Sequence, residues 1–308
     1  MKAITYSEYG EPDILALTEL PAPRVGPGEV LIRVRSAAVN PVDWKVLKGY
    51  LDGLMQVDFP AVPGWDVAGV VEAVGLDTPE YAVGDEVIAY ARKDWVQHGT
   101  FAELVSAPIR TVARKPRSLD WHQAAGLPLA GLTAYQLLSR LGLKPGETVL
   151  VHAAAGGVGM LAVQVARALG ARVIGTASEG NHEFLEGLGA EPVSYAGGLS
   201  ERVRELVPEG VDVVADFVGG VLESTLAVLA EGGRHGSTVD GEVAAHGGLY
   251  AWVRPDAADL TALAELADAG KLTVPVQEVF PLARAADAFR LSQAGHVRGK
   301  LAIEVSTD

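Results

Sequence analysis

The chain has 308 residues, 49% of them hydrophobic, which is enough apolar material for a large core and, by length, about two domains. Its net charge is −14, from 39 acidic and 25 basic residues, which argues against nucleic acid or an anionic membrane as a partner. There is no cysteine, so disulfides, thiolate metal sites and a thiol nucleophile are excluded. The start, Met1-Lys2-Ala3-Ile4, runs into a strand-like pattern without the sections of a signal peptide. No apolar run reaches the ~20 residues needed to cross a bilayer. These features lead to the expectation of a soluble, cytoplasmic protein.

Residues 1 to about 117 read as short strands and turns. Val30 to Arg35 alternates apolar and charged residues, as a half-buried strand with a solvated face does. Val67 to Gly75 is a second strand, whose glycines suggest a bend or a close backbone approach. Gly84 to Tyr90 turns into a third. Pro21, Pro23, Pro27, Pro41, Pro60 and Pro63 punctuate loops. This texture suggests a small barrel or folded sheet.

From about 120 to 270, helices alternate with strands. Helical apolar spacing runs from Trp121 to Leu143, and Thr148 to His152 is a short strand. Gly159 to Leu169 is an amphipathic helix that stops near Gly170, and Ala171 to Thr176 is the next strand. Glu183 to Leu188 is helical, and Val211 to Asp216 is another strand. This alternation implies a parallel sheet covered by helices. The segment from Val274 to Val305 returns to strand, helix, strand and is expected to rejoin the first domain. The domains read as 1–117 completed by 272–308, and 118–271.

The strand at 148–152 leads through Ala153-Ala154-Ala155-Gly156-Gly157-Val158-Gly159 into a helix. A dinucleotide fingerprint places glycine at three positions of such a turn, here Ala154, Gly156 and Gly159. The middle glycine lets backbone approach a pyrophosphate, and the third lets the helix pack on the strand. The first position is alanine. Free N–H groups at the helix start would face the phosphates. A tight turn without a ligand is the plainer alternative. The next strand ends at Ser178, followed by Asn181 and His182, where NAD enzymes usually place Asp or Glu. Hydroxyl, amide and imidazole donors suit a 2′-phosphate, so NADP(H) is the expected cofactor. Glu179 argues the other way unless it points to solvent.

The order and spacing of several segments resemble the zinc-independent quinone oxidoreductase branch of the medium-chain dehydrogenase/reductase superfamily. They are Ala38 to Trp44, Phe59 to Asp66, Val70 to Gly75, Gly84 to Val87, Gly99 to Glu103, Leu127 to Ala134, the glycine turn, and Arg298-Gly299-Lys300-Leu301. The resemblance implies an α/β protein with a GroES-like β-barrel catalytic domain and a Rossmann doubly wound parallel-sheet domain. It implies a cofactor in the cleft between them and a homodimer formed through the Rossmann sheets. Asn40 stands where metal-using relatives carry a zinc-binding cysteine, and Gly64-Trp65-Asp66 where they carry Gly-His-Glu. No metal is therefore expected. The resemblance sets Asn40 and Thr133 at the nicotinamide, Gly156, Gly157 and Val158 at the pyrophosphate, and Tyr195 beside the adenosine. It sets Tyr50 near the substrate. Many relatives carry lysine where this chain has Asn181.

Hydride transfer without a Lewis acid fits an electron-poor acceptor such as a quinone, enone or enal. Tyr50, or a water held by Asn40, is the candidate partner for the oxygen that gains charge. Trp44, Tyr50, Trp65, Tyr250 and Trp252 are candidates for the wall of the acceptor pocket, and any of them also suits a core or an interface. The expected activity is NADPH-dependent reduction of a quinone or similar small-molecule acceptor. One alternative is reduction of activated C=C bonds, including enoyl thioesters; another is a non-catalytic NADP(H)-binding role. No Gly-x-Ser-x-Gly elbow or phosphate-binding Gly-x₄-Gly-Lys-Ser/Thr loop supports a hydrolase.

Overall fold

The computed structural model describes residues 1–306, and its chain forms two compact units, Met1–Ala130 with Pro255–Asp308 and Gly131–Arg254. The first unit begins with β1 (Lys2–Thr5) paired antiparallel to β2 (Ala16–Glu19). β3 (Glu29–Val39) runs straight into α1 (Pro41–Leu47), whose opening proline is preset for a first helical turn. β4 (Val57–Val62), β5 (Asp66–Val74), β6 (Glu86–Tyr90), β7 (Val96–His98), β8 (Leu104–Pro108) and β9 (Val112–Arg114) follow. Two helices come next, α2 (Trp121–Ala125) and α3 (Pro128–Arg140). The apolar spacing predicts one helix here. Pro128 cannot donate an amide to the preceding turn, so the helix stops and restarts.

The second unit is a doubly wound parallel sheet. In chain order it holds β10 (Thr148–Val151), α4 (Gly159–Ala168), β11 (Arg172–Ala177), α5 (His182–Leu188), β12 (Glu191–Ser194) and α6 (Leu199–Leu206). β13 (Val211–Asp216), α7 (Leu222–Val228), β14 (Leu229–Ser237) and β15 (Leu249–Tyr250) complete it. Strand order is β12-β11-β10-β13-β14-β15, and every pairing is parallel. Leu150, Ile174 and Val214 from the strands pack with Leu199, Val203 and Val228 from the helices. The chain leaves β10 toward β11 and later returns on its other side as β13. The carboxyl end of β10 is thus the switch point where such sheets bind ligands.

The chain then returns to the first unit through α8 (Ala257–Asp268), β16 (Val276–Pro281), α9 (Ala285–Ala294) and β17 (Lys300–Glu304). The main sheet of this unit has the order β16-β17-β3-β5-β6-β9, with β8 also on β3. The first unit is discontinuous, as read from sequence, but the crossings fall at 130/131 and 254/255 rather than 117/118 and 271/272. The reason is packing: α2 lies on β3, β5 and β17, and α8 lies on β9. The run Glu29 to Arg35 belongs to a strand paired on both edges, so its apolar residues are fully buried and only its charges reach solvent.

Gly69 on β5 shows how tightly this sheet closes: a Cβ there would lie 2.2 Å from the Arg33 carbonyl oxygen on β3. Gly69→Ala is expected to lower stability by about 1–3 kcal/mol, read as a drop in the thermal unfolding midpoint. An unchanged midpoint would show that the strands can part freely at this point.

Candidate active site

The glycine turn leaves β10 at the switch point. Ala153 takes a left-handed conformation (φ 53°), and its N–H donates to Thr176 Oγ1 at 3.1 Å. The Ala154 N–H donates to the Thr176 carbonyl at 3.0 Å, which ties the turn to β11. A Cβ at Gly159 would lie 2.2 Å from the Ala153 carbonyl oxygen, so only glycine lets α4 start this close. The alanine at the first fingerprint position has a steric explanation. A Cβ at Gly175 on β11 would sit 2.8 Å from the Ala154 Cβ, so Gly175 supplies the room that a glycine at 154 would have left. No side chain caps α4; the Gly156 N–H turns back to the Ala153 carbonyl and the Met160 N–H to the Gly156 carbonyl, each at 3.0 Å. The N–H groups of Gly157 and Val158 between them remain for an anion.

Ser178 and Tyr195 each follow the last paired residues of β11 and β12, Ala177 and Ser194, which sit in register. The two strand ends therefore present them side by side. Asn181 Nδ2 donates to Ser178 Oγ at 3.1 Å, and Glu179 is exposed. His182 opens α5, and its Nε2 is buried with no hydrogen-bond partner. This arrangement of strand ends fits a dinucleotide. Thr133 lies buried on α3.

A buried carboxylate organises the neighbouring strand ends. Asp216 Oδ1 accepts from the amides of Val218 (2.8 Å) and Gly219 (3.0 Å), and Oδ2 from Ser237 Oγ at 2.7 Å. Ser237 Oγ in turn accepts from the amides of Val239 and Asp240. His152, at the end of β10, meets Thr225 Oγ1 through Nε2 at 3.3 Å. Burial pushes the His152 imidazole down to about 4, against the pull of the Asp216 charge.

In the first unit, Asn40 follows β3, Asp66 opens β5 and Lys300 opens β17. Register brings them together, because Leu301 pairs with Val39 and Asp66 pairs with Ala38 on the two edges of β3. Lys300 Nζ donates to Asn40 Oδ1 at 2.6 Å and to the Val39 carbonyl at 3.2 Å, and stands 3.8 Å from Asp66 Oδ2. Asn40 Nδ2 donates to Asp66 Oδ2 at 2.9 Å, and the Leu129 amide in the first turn of α3 donates to Oδ1 at 2.8 Å. The Asn40 N–H donates to Asp43 Oδ2 at 2.7 Å. Lys300 is 3% exposed and Asp66 0%. Burial lowers the Lys300 ammonium and raises both carboxyls, Asp66 to about 6 and Asp43 to about 8.

The aromatic candidates separate. The rings of Trp44 and Tyr50 meet edge to face at 6.4 Å; Trp44 Nε1 donates to Ser292 Oγ, while Tyr50 is 62% exposed. Trp65 is buried against Tyr90, and with Tyr6, Asp43 and Gly64 it borders a cavity of about 10 Å³. Tyr250 and Trp252 are exposed at β15 in the second unit. Asp66 and Lys300 were not among the residues singled out from sequence as site candidates. The signal for them is a lone charge heading an apolar strand inside a matched segment.

The residues where zinc-using relatives hold their metal do not fit one here. The Asn40 oxygen is already bound by an ammonium, Trp65 offers no lone pair, and the chain has no thiolate.

Residues 26–117 match the alcohol dehydrogenase GroES-like domain, and residues 188–303 match the zinc-binding dehydrogenase family. The chain is 36% identical to the NADPH-dependent alkenal/one oxidoreductase, chloroplastic, of Arabidopsis thaliana, over 98% of this chain and 79% of that protein. Among solved structures, a quinone oxidoreductase from Coxiella burnetii superposes with a TM-score of 0.88 at 35% identity, covering 99% of each chain. An NAD-dependent alcohol dehydrogenase superposes with a TM-score of 0.90 at 33% identity, covering 99% of this chain and 100% of that one.

The buried imidazole gives a pH prediction. An unfolded chain takes up the His152 proton near pH 6.5 and the folded chain near pH 4. Stability from this group therefore falls as pH drops through that window, by up to about 3 kcal/mol. His152→Gln is expected to flatten the acid side of a plot of unfolding midpoint against pH, and an unchanged slope would refute the assignment.

Proposed function

We propose an NADPH-dependent, metal-independent reductase of electron-poor acceptors for this chain, which belongs to the medium-chain dehydrogenase/reductase superfamily. The observation that carries the reading is the Lys300 ammonium on Asn40 Oδ1. Relatives with catalytic zinc place a metal ligand at that residue, and here an ammonium holds its oxygen. Without a Lewis acid, an unactivated alcohol is a poor substrate, and an acceptor that takes hydride at carbon and spreads charge onto oxygen is a good one. A bound nicotinamide supplies the hydride. In the second unit, Gly156, Gly157 and Val158 would hold the pyrophosphate and Tyr195 the adenosine, with Thr133 toward the nicotinamide. Ser178, Asn181 and His182 support NADPH over NADH, since hydroxyl, amide and imidazole groups follow β11 where NAD enzymes carry a carboxylate. In the first unit, Asn40 and Tyr50 face the acceptor oxygen, and Trp44 packs beside Tyr50 as part of the acceptor wall.

A quinone is the main acceptor in this proposal, in line with the Coxiella structure. Reduction of an activated C=C bond is the second reading, favoured by the Arabidopsis relative named for alkenals and alkenones. Both begin with hydride arriving at an electron-poor carbon. The proposal also includes a homodimer joined through the second-unit sheets, whose edge strands are β12 and β15, and a cytoplasmic location. No described helix is long and apolar enough to cross a membrane.

The decisive experiment assays quinones, enones and enals with NADPH and with NADH. Turnover with at least one acceptor and a clear preference for NADPH are expected. Failure of every acceptor, with NADPH still bound, would favour the non-catalytic role. Ser178→Asp places a carboxylate at the end of β11 and is expected to weaken NADPH binding about tenfold; equal cofactor use by the wild type would overturn the phosphate reading. Trp44→Ala is expected to raise KM for bulky acceptors with little change in kcat, and unchanged kinetics would remove Trp44 from the pocket.

A further inference from the structure

Four polar groups, Asn40, Asp43, Asp66 and Lys300, share one buried place in the first unit, whose other buried polar side chains among the described residues are hydroxyls such as those of Ser36, Thr100 and Ser106. Buried ionisable groups are costly, and where they gather with shifted affinities for protons they mark functional sites more often than chance. The hydrogen bonds here have a direction. Lys300 Nζ donates to the carbonyl end of the Asn40 side chain at 2.6 Å, and Asp66 Oδ2 accepts one N–H of its amide end at 2.9 Å. The other Nδ2 proton has no partner among the described residues.

We propose that Lys300 polarises the Asn40 carboxamide, so that its remaining N–H becomes the electrophilic donor for the acceptor oxygen, while Asp66 fixes the amide in that orientation. This rests on the reductase reading above and assigns two positioning residues to it. An ammonium on a carboxamide oxygen draws electron density from the nitrogen and strengthens the N–H as a donor, an effect enlarged by low local dielectric. As hydride bonds to the acceptor carbon, the π pair of the acceptor moves to its oxygen. That oxygen is hydrogen-bonded by Asn40 and then takes a proton from solvent. The acceptor would gain two electrons as the hydride that a bound nicotinamide would supply, and Lys300 would give up no proton. Lys300 thus supplies, through an amide, part of the field that a metal supplies directly. The other groups near the cluster do not compete for this role. Asp43 is held by the Asn40 backbone N–H and is neutral at pH 7, while Tyr6 and Tyr90 are buried phenols kept protonated by desolvation.

The chain has only two asparagines, Asn40 and Asn181, so selective ¹⁵N-asparagine labelling gives two side-chain amide pairs. In the cofactor-free protein, the Asn40 pair is expected to be strongly downfield and slow to exchange beside the Asn181 pair, and to move upfield in Lys300→Met. Lys300→Gln, which keeps a donor but no charge, covers the case in which Lys300→Met fails to fold, and is expected to move the signal in the same direction. In turnover, Lys300→Met is expected to lower kcat about 10- to 100-fold with NADPH binding unchanged. Lys300→Arg is expected to recover part of the loss. Asn40→Ala is expected to cost as much as Lys300→Met, and the double variant no more than either alone. An Asn40 signal that ignores Lys300, or additive losses in the double variant, overturns the proposal. If the wild type reduces no acceptor, the reductase reading fails, while the amide signal still decides whether Lys300 polarises Asn40.

Discussion

The ion pair between Lys300 and Asp66, bridged by the Asn40 side chain, is the constraint on which the first unit depends. Moving an ammonium and a carboxylate out of water costs several kcal/mol for each ion. Each is compensated by specific neighbours: Asn40 and the Val39 carbonyl for Lys300, and Asn40 and the Leu129 amide for Asp66. The compensation works only if β17 and β5 hold their registers on the two edges of β3. A slip of one residue would turn Asp66 or Lys300 to the opposite face of the sheet, away from its partners. The cluster therefore specifies strand register as well as chemistry. Asp216 does related work in the second unit, where one carboxylate gathers the amides and hydroxyl of two loops beside the switch point.

Much of the second unit is legible in the sequence. β10, α4, β11 and β13 stand within a residue or two of where periodicity places them, because each is a short apolar run closed by glycine or by a turn. β12 and β14 are harder, since Pro192 interrupts one and Gly232-Gly233-Arg234 the other. The break between α2 and α3 is hidden by apolar spacing that runs through it.

The sites differ in the same way. The glycine turn is local, so its residues announce themselves within seven positions, helped by the strand before and the helix after. The Asn40 cluster joins residues 26 and 260 positions apart. Asn40 is picked out by resemblance, whereas Asp66 and Lys300 acquire meaning only through strand pairing. The exchange of space between Ala154 and Gly175 is likewise invisible in a linear pattern, since the missing glycine reappears on another strand.

The discontinuity of the first unit has a consequence for biosynthesis. Asn40 and Asp66 leave the ribosome early, and residues 131–254 follow as one uninterrupted segment. Lys300 is translated only after that. Until β17 docks, Asp66 lacks the counter-charge that Lys300 provides. In order of synthesis the second unit is therefore complete before the first, whose main sheet has β16 and β17 to add from the last segment of the chain.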